Sequence, residues 1–402
     1  MDGKESYVLT VNAGSSSIKF DLFAQAETPR RSLSGVIDKI GQPQARLSVK
    51  VGTQPHSTAK KVDAPDHAAA VRILSDWLHQ NVPGGHVAAI GHRIVHGGPH
   101  YAQPCRLTSE VIEQLRQLTV LDPEHLPLEL NLIEMLQERF PDAVQIACFD
   151  TGFHHDLPAV AQLLPIPRRY QAQGLRRYGF HGLSYSFLLQ ELRRLDDKGA
   201  DGRLVLAHMG HGVSLAAVQD GTSIDTTMGL TPAGGVPMSS RSGDLDPGVL
   251  SYLARTEHLT ANAFDRLVNF ESGLLGLSET TADMEELLQR EAEDERAAEA
   301  VAVFCYQVKK TVGALAAALG GLDQLVFTGG MGENAPKIRA RVCQGLDFLG
   351  LQLDQEANNA GAGVISAADS RVKVRIIHTD EASIIAEAAT SMLKDIVGVT
   401  PA

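Results

Sequence analysis

The stretch VLTVNAGSSSIKFDLF, Val8–Phe23, decides how the rest of the chain is read. Val8–Val11 is an apolar run suited to a buried strand, and Ile18–Phe23 alternates well enough to be its partner. Between them lie Asn12, Ala13, Gly14, Ser15, Ser16 and Ser17, with Lys19 just beyond. Gly14 permits a sharp turn and close backbone approach. Ser15 and Ser17 offer hydroxyl and amide groups able to wrap phosphate oxygens, and Lys19 adds a point charge. Asn12, at the strand's end, could orient a metal-bound water. The same residues would also make an ordinary polar hairpin turn. The spacing is not that of a Walker loop, which needs a wider Gly-to-Lys interval and an immediate helix.

Composition narrows the class. The 402 residues suffice for two domains with cores of their own, and 44% hydrophobic with 21% charged residues is the balance of a soluble globular protein. A net charge of −12, with no basic stripe, argues against a nucleic-acid partner. The opening residues MDGKESY carry no apolar leader, and no apolar run is long enough for a membrane span. Cys105, Cys148, Cys305 and Cys343 are scattered without a CxxC pair, which predicts reduced core thiols and a cytoplasmic setting.

Along the chain, residues 7–60 read as strands with turns between them. Ala68–Val82 has the period of an amphipathic helix with Val71, Leu74, Trp77 and Leu78 on one face, and Val87–Val95 reads as a strand. Ser109–Leu118 and Leu128–Arg139 read as helices, and Val144–Phe149 as a strand running straight into Asp150. The pattern then restarts: Arg203–Ala207 and Leu215–Val218 flank a glycine-rich turn, a weak internal repeat of the first half. Ala282–Leu319 is expected to be helical throughout, with its charged first half facing solvent. Leu325–Thr328 reads as a strand ending in the turn GGMGEN, with a helix from about Ala335. Val374–His378 reads as the last strand, and Glu381–Val397 as a helix returning to the first domain. The boundaries expected are 1–150, completed by about 386–402, and 151–385.

Several strands end in polar residues: Asn12, Asp150, His208, Thr328 and Asp380–Glu381. In α/β sheets, ligands bind beyond the carboxyl ends of strands. Asp150 and Glu381 are candidates for a hard cation such as magnesium. Arg93 and Arg241 each need a partner, for which a bidentate anion or a structural carboxylate would serve. His181 is flanked by glycines that allow close approach of a ligand, and the GGMGEN turn could let a nucleotide lie against backbone.

Together these stretches resemble the acetate kinase family of the acetate and sugar kinase, heat-shock-chaperone and actin superfamily. The blocks that carry the resemblance are NAGSSSIKF at 12–20, GHRIVHGG at 91–98, FDTGFH at 149–154, RRYGFHGLS at 176–184 and HMGHGVS at 208–214. They continue in family order with MGLTP at 228–232, SRSGDLDPG at 240–248, FTGGMGEN at 327–334 and HTDEA at 378–382. The resemblance implies an α/β fold of two ribonuclease H-like (actin-like ATPase) domains with an interdomain active-site cleft. It implies ATP as co-substrate, Mg²⁺ (or Mn²⁺), a short-chain carboxylate as acceptor, and a homodimer. By the family pattern, Asn12 and Glu381 hold the metal, and Asp150, His181 and Arg241 are catalytic. Arg93, Val95, His125 and Pro232 bind the carboxylate. Lys19, Ser15 and Ser17 meet phosphate. His208, Gly210, His211 and Gly212, Asp283, Met284 and Glu285, and Gly330, Met331, Gly332, Glu333 and Asn334 form the nucleotide pocket.

These roles agree with the chemistry of direct in-line phosphoryl transfer. The acceptor is already an anion and needs no strong base, so catalysis is positioning plus charge neutralisation. The chain departs from the family pattern at His211 (usually Asn), Glu285 (usually Arg), Glu124 (usually apolar), Tyr185 (commonly His) and in the PAGGVPMSS lead-in to RSGD. All of these border the substrate and nucleotide positions. The reading is therefore an acetate kinase. A propionate or other short-acid kinase and a non-catalytic nucleotide switch are the alternatives.

Overall fold

The computed structural model describes residues 5–14, 16–52, 58–82, 85–196 and 198–397, so Ser15 lies outside the described residues. The chain divides into two compact units. One runs up to Gly152 and resumes at Asp380; the other is Phe153–Thr379. The change-over at Asp380 assigns the whole final helix to the first unit, where the sequence reading places only its part from about 386.

The first unit is built on β1 (Ser6–Gly14), β2 (Ser17–Ala24), β3 (Arg30–Asp38), β4 (Arg46–Val51), β5 (Thr58–Lys61), β6 (His86–Ile94), β7 (Cys105–Arg106) and β8 (Val144–Phe149). Their order is β5-β4-β3-β2-β1-β6-β8-β7. The second unit holds β9 (Arg203–Met209), β10 (Val213–Gln219), β11 (Thr222–Thr226), β12 (Gln324–Thr328) and β13 (Lys373–Ile376), in the order β11-β10-β9-β12-β13.

The repeat suspected from sequence is a repeat of topology. In the first sheet β2 runs antiparallel to both of its neighbours, β3 and β1, and β6 and β8 follow β1 in parallel. In the second, β11, β10 and β9 are antiparallel, and β12 and β13 follow β9 in parallel. The parallel strands are the continuous apolar runs, because helices cover both faces of such sheets. All five residues of β12 are buried, as are the last five of β8. The edge strand β5 is exposed throughout and carries Lys60 and Lys61, which discourage pairing with another edge.

Helices close the faces. The helix His67–Asn81 is capped by Asp66, whose carboxylate accepts the Ala69 N–H, and it buries Val71, Leu74 and Leu78. The helix Glu381–Val397 packs on β6 and β1. It comes so close that a Cβ on Gly91 of β6 would lie 2.4 Å from Ile385 Cγ2 and 3.4 Å from Ile385 O.

Two expectations require correction. The segment Ala282–Leu319 is not one helix: Met284–Arg290 and Glu295–Ala318 are separate, because Asp294 turns its carboxylate onto the Arg296 and Ala297 N–H groups and starts a new helix. Nor is GGMGEN a turn, since Gly329–Asn334 is itself a short helix. Gly329 opens it at φ +77°, where a Cβ would lie 2.9 Å from the Met209 backbone.

The four cysteines are free thiols, with Cys148, Cys305 and Cys343 buried. Among the described residues no helix is long and apolar enough to cross a membrane.

Gly91→Ala should destabilise the first unit by about 1–3 kcal/mol, because overpacking outweighs the usual stabilisation from replacing a strand glycine. Urea unfolding would measure this, and Ile385→Ala in the same chain should recover part of the loss.

Candidate active site

In the first unit, β1, β6 and β8 run parallel, so their carboxyl ends lie side by side. The strands deliver Asn12, Arg93 and Asp150 to one place. The Asp150 N–H donates to Ile94 O at 2.9 Å, which extends the ladder one residue past β8. Arg93 Nη2 donates to Asp150 Oδ2, Arg93 Nη1 lies 3.5 Å from Asn12 Oδ1, and Arg93 Nε lies 3.8 Å from Glu381 Oε2. The Asp150 side chain has no exposure, whereas Arg93 keeps 16% and Glu381 20%. Burial works against the Arg93 charge, but Asp150, Glu381 and Glu129 outweigh it and hold the guanidinium more basic than usual. Lys19 sits directly across the hairpin from Asn12 and is exposed. Ser17 pairs with Gly14 at the hairpin's end.

One further carboxyl reaches this cluster. Glu129, on the helix Leu126–Arg139, is 2% exposed and accepts the Val95 N–H at 3.1 and 3.3 Å through its two oxygens. Val95 itself is 4% exposed. His125, just ahead of this helix, is 27% exposed and holds Asp122 at 2.9 Å. Glu124 beside it is half-buried.

The second unit gathers a different set. His181 adopts a left-handed backbone, φ 61° and ψ 25°, at the start of the helix Gly182–Leu195. For a residue with a Cβ that conformation costs energy and persists only where its surroundings impose it. His154 supplies one constraint. It is fully buried, bonded through Nε2 to Phe180 O at 3.2 Å and through Nδ1 to Ser223 Oγ at 2.8 Å. Gly179, at φ +73°, makes room for that ring, because a Cβ there would lie 2.6 Å from His154 Cδ2. The other constraints act on the His181 ring. Nδ1 bonds Ser214 Oγ at 2.8 Å, Ser214 bonds the buried Tyr185 hydroxyl, and the ring stacks on His208 at 4.1 Å between centroids. His208 Nδ1 in turn meets Ser184 Oγ at 2.9 Å.

The β9–β10 turn brings Gly210, His211 and Gly212 against this set. A Cβ on Gly212 would lie 3.2 Å from His181 Nε2 and 3.5 Å from Arg241 Nη1, so the glycine lets a ring and a guanidinium approach one point of backbone. Arg241 Nη1 also donates to Pro232 O at 3.3 Å. His211 at the tip is exposed.

Other candidates have structural partners. Asp283 caps the helix Met284–Arg290 by accepting the Glu285 and Glu286 N–H groups, Met284 is 5% exposed and Glu285 faces solvent. Glu333 ties the ends of β12 and β13 together: Oε1 accepts from Gly329 N at 2.9 Å and Thr379 N at 3.2 Å, and Oε2 meets His378 Nδ1 at 2.7 Å. Gly330, Met331 and Asn334 stay at least partly open, while Gly332 is buried. Arg339, 1% exposed, holds this helix from behind through Gly332 O, Glu333 O and Asn358. The structure thus brings Asn12, Arg93, Asp150 and Glu381 together in one unit, and His181, His208, Gly212 and Arg241 together in the other. Glu129, His154, Ser214 and Arg339 were missed by sequence reading. Only His154 and Ser214 carried a signal, as the last residues of FDTGFH and HMGHGVS.

Among the described residues no group of three or more His, Cys, Asp and Glu side chains is arranged as a metal cage. The oxygens around Arg93 nonetheless suit magnesium, which commonly takes one or two protein ligands and completes its shell with water and phosphate.

Two sheets with one shared strand order, each presenting polar groups at its strand ends, define a protein of the actin-like ATPase fold. The Acetokinase family model matches residues 7–387, and the chain belongs to that family. It is 45% identical over 385 residues to an acetate kinase of Rhodopseudomonas palustris, covering 94% of this chain and 96% of that one. Among solved structures, acetate kinase of Porphyromonas gingivalis superposes with a TM-score of 0.87 at 35% identity, covering 97% of this chain and all of that one. A propionate kinase of Francisella tularensis gives 0.89 at 32% identity, covering 95% of this chain and 98% of that one.

Burial lowers the His154 pKa to about 4, so the folded second unit resists protonating it while the unfolded chain does not. Its contribution is complete above the ordinary histidine pKa and is lost as pH falls toward 4. Lowering pH from 7 to 5 should therefore cost about 2 kcal/mol from this residue. Urea unfolding of wild type and His154→Gln at both pH values would show it as a smaller acid loss in the variant.

Proposed function

We propose that the protein is an ATP-dependent short-chain carboxylate kinase, which reversibly transfers the γ-phosphoryl group of ATP to acetate to give acetyl phosphate and ADP. Family membership over nearly the whole chain and acetate kinases among its relatives support this reading. The observation that carries it is Arg93, a guanidinium fixed by Asp150 at a sheet's carboxyl end and still partly open. Such a group can grip a carboxylate without losing its place.

In this mechanism Arg93 holds the acceptor carboxylate, with Val95, His125 and Pro232 bounding its acyl end. Asn12 and Glu381 would hold Mg²⁺, which would neutralise phosphate charge. Lys19 and Ser17 meet phosphate oxygens. His208, Gly210, His211, Gly212 and the 283–285 and 330–334 segments receive the nucleotide. His181 and Arg241 donate to the equatorial oxygens as their charge develops, and Asp150 keeps Arg93 aimed. Ser214 and Tyr185 back Nδ1 of His181, and this reading assigns Nε2, the nitrogen beside Gly212, to phosphate. The acceptor attacks the γ-phosphorus in line, the bond to the β,γ-bridging oxygen breaks, and ADP leaves. A homodimer acting in the cytoplasm belongs to the same reading and would be tested by sedimentation and cell fractionation.

Hydroxylamine trapping of acyl phosphate should give product with acetate and less with butyrate, and propionate measures how far the pocket tolerates one more methylene. Absence of product with every short acid at millimolar ATP would overturn the reading. Arg93→Ala, which loses the grip on the acceptor, and Arg241→Ala, which loses a donor to the developing charge, should each lower kcat/KM about a hundredfold to a thousandfold, the range for losing one preorganised donor.

Tyr185→Phe keeps the ring but removes the hydroxyl from Ser214. It should lower kcat about tenfold, the worth of one hydrogen bond of about 1.4 kcal/mol, with both KM values nearly unchanged.

A further inference from the structure

Arg93 carries an unusual burden of negative charge. Asp150 bonds it directly, and Glu381 lies 3.8 Å from its Nε. Glu129 adds a third carboxyl, 2% exposed. Among the described residues, the only hydrogen-bond donor to Glu129 is a neutral one, the Val95 N–H. Arg93, the cation that acts on it, spends its own bonds on Asp150 and Asn12. A buried carboxylate with no ion pair of its own favours its neutral form. An anionic acceptor would also bring a further negative charge to the same guanidinium.

We propose that Glu129 is a positioning residue that acts through Arg93: neutral, it leaves the guanidinium's charge to the acceptor carboxylate, and on ionising it takes that charge back. The proposal rests on the reading that Arg93 grips the carboxylate. The charged groups acting on Glu129 are Arg93 from β6, Asp122 from the loop before its helix, and Asp150 beyond β8. Burial pushes its carboxyl up to about 8; Arg93 and the Val95 amide pull against this, and Asp122 and Asp150 add to it. Glu129 is therefore neutral at pH 7 and charges as the solution becomes mildly alkaline. The bond to Val95 N–H survives either way, since a carbonyl oxygen accepts as a carboxylate oxygen does, so ionisation changes the charge without dismantling the strand end.

The test is the pH profile of KM for the carboxylate in the full chain. In wild type it should rise about tenfold between pH 7 and 9, as a new like charge beside the site would cause, with KM for ATP and kcat nearly level. Glu129→Gln keeps the acceptor for Val95 but cannot charge. It should show a flat KM equal to the wild-type value at neutral pH. A variant profile that rises as wild type does would overturn the proposal. Carbon-13 NMR of the wild-type protein labelled at the glutamate carboxyl provides a second measurement, needing neither a variant nor turnover. One glutamate should titrate at about 8; every glutamate titrating in the ordinary acidic range would refute the proposal. Failure of the kinase reading would appear instead as absent product with that titration intact.

Discussion

A carboxylate with no exposure is tolerable only beside a cation, and the pairing of Asp150 with Arg93 meets that demand at the end of two neighbouring strands. Removing either partner would leave an uncompensated charge. The pair is also what keeps the guanidinium extended toward the strand ends, when a lone arginine would fold back along apolar surface. Asn12, Glu381 and Glu129 are arranged around that fixed charge. The second unit uses another device. At its centre is a histidine, His181, in a costly backbone conformation, and His154, Ser214, Tyr185 and His208 hold it there through hydrogen bonds and stacking.

The two halves reach comparable results from one topology. Three antiparallel strands followed by two parallel ones set a hairpin turn beside the ends of parallel strands in both sheets. In the first, that turn is Gly14–Ser17 and the strand ends supply Arg93 and Asp150. In the second it is Gly210–Gly212, and the strand end after β12 supplies a helix beginning at Gly329. The shared topology thus explains why polar residues recur at strand ends along the chain. On that topology one sheet presents carboxylates with an arginine, and the other presents histidines and glycines.

Much of this was legible in residue order. An apolar run that stops abruptly at a polar residue marks a buried parallel strand and its exit point, which is why Asp150 and Thr328 could be placed. Glycines beside His181 suggested close approach of a ligand; at Gly179 the structure puts a protein ring, that of His154, where a Cβ would stand. Other features were hidden by ordinary composition. The helix break before Glu295 depends on one aspartate choosing backbone over solvent, within a run whose charge suits a continuous helix equally well. Gly329 and Gly330 argue against a helix that tertiary contacts with Met209, Glu333 and Arg339 nevertheless impose. Nothing in the helix read over Leu128–Arg139 singled out Glu129, and only the fold turns it inward onto the Val95 N–H.

The helix Glu381–Val397 belongs to a sheet whose strands end some 230 residues earlier in the chain, at Phe149. On a ribosome, the first sheet emerges with its Gly91 face bare and must wait for the whole second unit to be made before that face is covered. Synthesis order and folding order are therefore at odds in this molecule, and the waiting apolar surface on β1 and β6 is where nascent chains would need a chaperone's protection. Losing the last turns of the polypeptide would accordingly injure the half made first.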